Sequence, residues 1–120
     1  MAHKITQLEK KAFESPDETR RPFQKARIDV VEVGGLTFQR ETLEPGWRWS
    51  EHVKPVVGGE SCQKYHVKII LSGRQRIVME DGTEAVLEPG DVAVMPPGHD
   101  GWVEGDQPNV LLELITLVES

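Results

Sequence analysis

From Arg27 onward, short runs rich in Val, Ile, Leu and Thr alternate with Gly and Pro signals at intervals of roughly eight to twelve residues. The runs are Arg27 to Val33, Leu36 to Leu43, Trp47 to about Val53, Tyr65 to Leu71, Arg76 to Met79, Thr83 to Leu87, Val92 to Met95, Gly101 to Val103 and Val110 to Val118. This rhythm predicts an all-β sandwich or barrel. Asp81-Gly82 predicts a two-residue type I′ hairpin joining Arg76–Met79 to Thr83–Leu87, because both central positions of that turn need positive φ. Before Arg27 the pattern is polar, with Ile5, Leu8 and Phe13 loosely spaced for a helix that Ser15-Pro16-Asp17 breaks. Residues 1–25 are therefore expected to form an N-terminal arm and 26–120 the β domain. Leu43-Glu44-Pro45-Gly46 recurs as Leu87-Glu88-Pro89-Gly90, splitting the β region into two halves of similar make-up.

Composition narrows this picture. The chain has 120 residues, enough for one hydrophobic core, with 38% apolar residues, 28% charged residues and a formal charge of −6. Nucleic acid is not an expected partner, because an acidic chain whose only basic pairs are Lys10-Lys11 and Arg20-Arg21 lacks a phosphate-binding patch. The longest apolar stretch near the C-terminus is interrupted by Glu113, so no membrane span is expected. The N-terminus has no apolar secretory core, which predicts a cytoplasmic protein. The single cysteine, Cys62, forms no internal disulfide, leaving a packed small residue, a reactive thiol or a metal ligand.

Three histidines of the β region, His52, His66 and His99, lie close to turn signals, whereas His3 falls in the arm. In an extended segment Glu60, Cys62 and His66 share one face, and together they offer a carboxylate, a thiolate and an imidazole. Trp47 and Trp49 share strand parity and, with Trp102, either wall a ligand pocket or fill the core. Lys68 has the parity of His66 and either enters the barrel, as a base or an anchor for an anionic substrate, or snorkels at the rim. Asp100 stands beside His99, but neighbours on a strand face opposite ways.

Two glycine-framed segments resemble the cupin motifs. In G-x5-H-x-H-x3,4-E-x6-G, Gly46 and His52 match counting forward, while His66 and Gly73 match the closing end with His66 at the glutamate position. Counting back from His66, the two histidine positions fall on Glu60 and Cys62, so residues 53–59 read as an insertion. The second motif, G-x5-P-x-G-x2-H-x3-N, is similar to Gly90 through Pro96-Pro97-Gly98, with His99 two residues early. The resemblance spans about Leu36 to Leu114 and is to small single-domain cupins.

That resemblance implies a double-stranded β-helix, a jelly-roll barrel with a short N-terminal arm. It implies a divalent metal in the mouth, held by some combination of Cys62, His66, His99 and His52, with Glu60 an additional candidate. A thiolate among the ligands makes zinc the first choice, with iron, nickel, copper and manganese as alternatives. The implied function is to bind or transform a small molecule at that metal. The rival reading is a non-catalytic ligand-binding or sensory module with a structural ion closed by four protein ligands. A homodimer is expected on general grounds, since sheet edges need covering and symmetric dimers are common.

Overall fold

The computed structural model describes residues 5–115. Among them are nine strands: β1 Glu18–Arg20, β2 Ala26–Val33, β3 Leu36–Leu43, β4 His66–Ser72, β5 Arg74–Met79, β6 Glu84–Leu87, β7 Val92–Met95, β8 His99–Glu104 and β9 Asn109–Leu114. All pairings are antiparallel, in a six-stranded sheet of order β1-β2-β3-β9-β4-β7 and a three-stranded sheet of order β6-β5-β8. Period-two burial fixes which side chains enter the space between them. Asn109, Leu111 and Glu113 of β9 are buried, as are His99, Gly101 and Val103 of β8, while the residues between them keep accessible surface. Leu43, Ile70, Ile77, Leu87, Val103 and Leu111 form the centre of the core. The architecture is an all-β jelly-roll barrel.

The repeated tetrapeptide is a repeated turn. Trp47 N donates to Glu44 O at 3.0 Å and Asp91 N to Glu88 O at 2.9 Å, with Gly46 at φ 91° and Gly90 at φ 92°. Each is a four-residue turn with Pro at the second place and Gly at the third, where positive φ is required. Leu43 and Leu87, which precede the turns, are both buried, so each copy ends a strand on a core anchor.

Three sequence expectations are corrected. The β5–β6 hairpin forms, but not through a two-residue type I′ turn: Met79 N donates to Thr83 O at 2.8 Å across Glu80-Asp81-Gly82, and of these only Gly82 has positive φ. A three-residue loop with its last residue left-handed needs only that one glycine. The run Trp47 to Val53 is not a strand, and within it only Arg48 makes an isolated bridge, to Trp102. Trp49–Val53 is a π-helical turn that continues into α1, Lys54–Val57. Trp49 and Val53 are both buried and four apart, a helical spacing that the Trp47/Trp49 alternation obscured, and Pro55 sits in the first turn, where its missing N–H costs nothing. In the arm, described residues contain no helix; Glu18–Arg20 pairs instead with Val30, Asp29 and Ile28 of β2. The expected extension of β9 to Val118 lies, beyond Ile115, outside the described residues, as does His3. Among the described residues no helix is long and apolar enough to cross a membrane.

Candidate metal centre

β4 begins with His66 and β8 with His99, and both side chains point inward because Lys68/Ile70 and Gly101/Val103 on the same faces line the interior. Cys62 lies on a loop, yet it is tied to β8 by two backbone bonds: Cys62 N donates to His99 O at 2.8 Å, and Gly98 N to Cys62 O at 2.7 Å. Beside it, the Ser61 hydroxyl donates to the Glu80 carboxylate, and the Gln63 amide donates to Ser61 Oγ at 3.0 Å. These contacts give a loop residue the positional constraint of a strand.

One ligand atom from each of Cys62, His66 and His99 lies within 4.8 Å of the others, and Cys62 Sγ is 3.6 Å from His66 Nε2. Tetrahedral bonds of about 2.3 Å to sulfur and 2.0–2.1 Å to nitrogen place two such donors about 3.6 Å apart, so this pair fits a zinc-sized ion. The outer nitrogens are already engaged. His99 Nδ1 lies 2.8 Å from Pro96 O, and since a carbonyl has no proton to give, Nδ1 carries it and Nε2 keeps its lone pair. His66 Nδ1 contacts the Glu113 carboxylate, which orients the ring and leaves Nε2 facing Cys62. Burial, reinforced by the Lys68 ammonium, pushes His66 down to about 4, and burial also lowers His99. Both imidazoles are neutral at neutral pH, the state a metal requires.

A polar group extends below the cluster. Lys68 is buried, with Nζ 3.4 Å from Gln75 Oε1, and in the β4–β9 register it stands opposite Glu113. Glu41 of β3 hydrogen-bonds Glu113; burial and that bond raise its carboxyl to about 8, so the pair shares a proton at neutral pH. Glu41 keeps some accessible surface and shares the strand parity of buried Leu43.

The remaining sequence candidates fall elsewhere. His52 does not join the cluster: it lies on the π-helical turn, where its Nδ1 accepts from Arg48 N at 3.1 Å. Glu60 points to solvent with 95% of its side chain exposed and pairs with Lys54 at 3.4 Å, because the segment before Cys62 is not extended and strand parity does not apply. Trp47 and Trp49 pack in the core, and Trp102 faces outward under the Arg48 guanidinium at 3.9 Å. Asp100 accepts from Ser50 N and Gly101 N, leaving His99 to Pro96. Sequence reasoning missed Glu41, Gln75 and the role of Glu113. The signal was a carboxylate on the inward parity of an apolar strand, two places from Leu111.

No protein-family model matches the chain, and no curated protein matches it. Solved structures do. A protein of unknown function from Rhizobium leguminosarum aligns at TM-score 0.63 and 19% identity over 91% of this chain and 96% of its own. The polyketide cyclase RemF from Streptomyces resistomycificus aligns at 0.63 and 14% identity over 90% and 78%. A cupin-like protein from Thermotoga maritima aligns at 0.56 and 16% over 88% and 80%. At these identities the likeness is one of fold, and the fold is the cupin barrel.

Proposed function

We propose that this chain is a metal-binding cupin that holds one divalent ion, zinc first among the candidates, on Cys62 Sγ, His66 Nε2 and His99 Nε2, and binds or transforms a small molecule at that ion. The carrying observation is the convergence of these three donors with the outer nitrogen of each imidazole already engaged. Three protein ligands leave a tetrahedral ion one position for water or a ligand. That favours an open, chemically usable site over a structural ion closed by four protein donors, since His52 and Glu60 are directed elsewhere. When bound, such an ion would supply Lewis acidity at the open position. The chain's own residues hold the imidazoles neutral and aligned, and Lys68, Glu41 and Glu113 add charge and one shared proton beneath them. A lone unpaired thiol is kept reduced most readily in a reducing compartment, which supports a cytoplasmic location.

The test is elemental analysis of untagged protein with Cys62→Ala, His66→Ala and His99→Ala. One equivalent of metal in the parent and loss in each variant is expected. Full metal retained in all three variants, or none in the parent after reconstitution, overturns the proposal.

A further inference from the structure

Where the N-terminal arm crosses the outside of β1, β2 and β3, it leaves a cavity of about 330 Å³. Phe13 and Pro16 of the arm wall it, and the strands supply a polar floor. Ala26 and Leu43 pair across β2–β3 and enter the core, so the next residue of β2, Arg27, faces outward, as does Asp29 two places on. The register then sets Thr19 opposite Asp29 on one side and Arg40 opposite it on the other. Arg21, one place past the Arg20–Ile28 pair, lines the same cavity beside Arg27.

Three guanidiniums and two carboxylates surround this space, and both carboxylates are engaged by one guanidinium. Arg40 donates to Asp29 from Nε at 3.3 Å and from Nη2 at 3.1 Å, and to Glu14 from Nη1 at 2.8 Å. Thr19 Oγ1 donates to the other Asp29 oxygen at 2.9 Å. Arg27 Nε stands 3.6 Å from Asp29, beyond hydrogen-bond reach, and although buried it donates to nothing among the described residues. Arg21 takes part in no ion pair among the described residues, its neighbour Glu18 being held by Arg20. Like charges set side by side across a strand pair repel, and here they do so in a chain whose formal charge is −6.

We propose that Arg21 and Arg27 form an anion site for a small organic phosphate monoester, with Phe13 and Pro16 against its organic part. Guanidinium forks match the oxygens of phosphate or carboxylate bidentately. Charge chooses between the two: a phosphate monoester brings about −1.5 to −2 at neutral pH, enough for both arginines, whereas a carboxylate brings only one negative charge. Size agrees, since the cavity stands at the lower end of the roughly 300–1,000 Å³ of small-molecule clefts and exceeds what a bare phosphate fills. The proposal is independent of the metal reading, because Arg27 faces outward from the barrel while His66 and His99 face its interior.

Titration calorimetry with phenyl phosphate and with benzoate tests it, on the parent, Arg21→Gln, Arg27→Gln and a control, Arg74→Gln, which makes the same change of charge at an exposed position of the other sheet. The parent is expected to bind phenyl phosphate with a dissociation constant of about 1 mM or tighter, and benzoate at least about 10-fold more weakly. Each of Arg21→Gln and Arg27→Gln should weaken phenyl phosphate at least about 10-fold with unchanged circular dichroism, and Arg74→Gln by less than about 3-fold. Arg21→Gln, at an exposed position, carries the reading alone if Arg27→Gln does not fold. No binding by the parent, benzoate bound as tightly as phenyl phosphate, binding retained by folded Arg21→Gln or Arg27→Gln, or an equal loss in the control overturns the proposal.

Discussion

Two stretches border the barrel mouth, and they treat their metal-capable side chains in opposite ways. β4, β8 and β9 deliver His66, His99 and Glu113 inward by strand parity, each held by a cross-strand register. The stretch from Trp47 to Glu60 turns helical, and there His52 is bonded to its own turn and Glu60 to solvent-facing Lys54. The same residue types thus carry different chemistry because one backbone is tied on both sides and the other closes on itself. Cys62, at the junction, joins the first group through its two bonds to β8.

The largest predicted effect separates the two stretches. His66→Ala should weaken zinc binding by at least about 100-fold, in line with losing one of three ligands, while His52→Ala and Glu60→Ala should change it by less than about 3-fold. Competition titration with a zinc-binding dye measures both, and a large loss in His52→Ala would erase the distinction. The next effect lies one contact behind the proposed ion. Glu113→Gln removes the charge that aligns His66 and should cost about 10- to 100-fold in affinity without changing stoichiometry. Unaltered affinity would reduce Glu113 to a packing residue.

A smaller effect concerns Glu41. Its carboxyl is raised from the usual 4.5 to about 8 by burial and the bond to Glu113, so between those values the folded chain holds a proton that the unfolded chain releases. The contribution is fully present below about 4.5 and is lost as pH rises through 8. Glu41→Gln cannot lose a proton there, so its stability relative to the parent should improve across that window, by on the order of 1 kcal/mol once solvent screening is allowed for. Denaturant midpoints of metal-free protein at several pH values would show this, and a pH-independent difference would contradict it.

Much of the barrel was legible from sequence. β3 and β7 have the expected bounds, β2 begins one residue earlier, β4 is shifted by one residue at both ends, and the repeated Leu-Glu-Pro-Gly is one turn used twice. Period-two burial with Gly and Pro punctuation is a local signal, written wherever a strand has one core face. Cys62, His66 and His99 were readable for the same reason, lying at or beside strand starts. His52 and Glu60 were misplaced because parity was extended through a stretch where Trp49, Val53 and Pro55 favour a helical turn. Glu41 and Gln75 were invisible because they meet the site only through long-range pairing: β3 reaches β4 by way of β9.

The central claim, an open ion held by one thiolate and two imidazoles, is tested most directly by the absorption spectrum of the cobalt-substituted protein. The account predicts a thiolate-to-cobalt charge-transfer band and tetrahedral ligand-field bands in the parent. The charge-transfer band should be lost in Cys62→Ser, and the ligand-field bands should shift when azide takes the open position. A parent spectrum without the thiolate band, or one indifferent to azide, would contradict it.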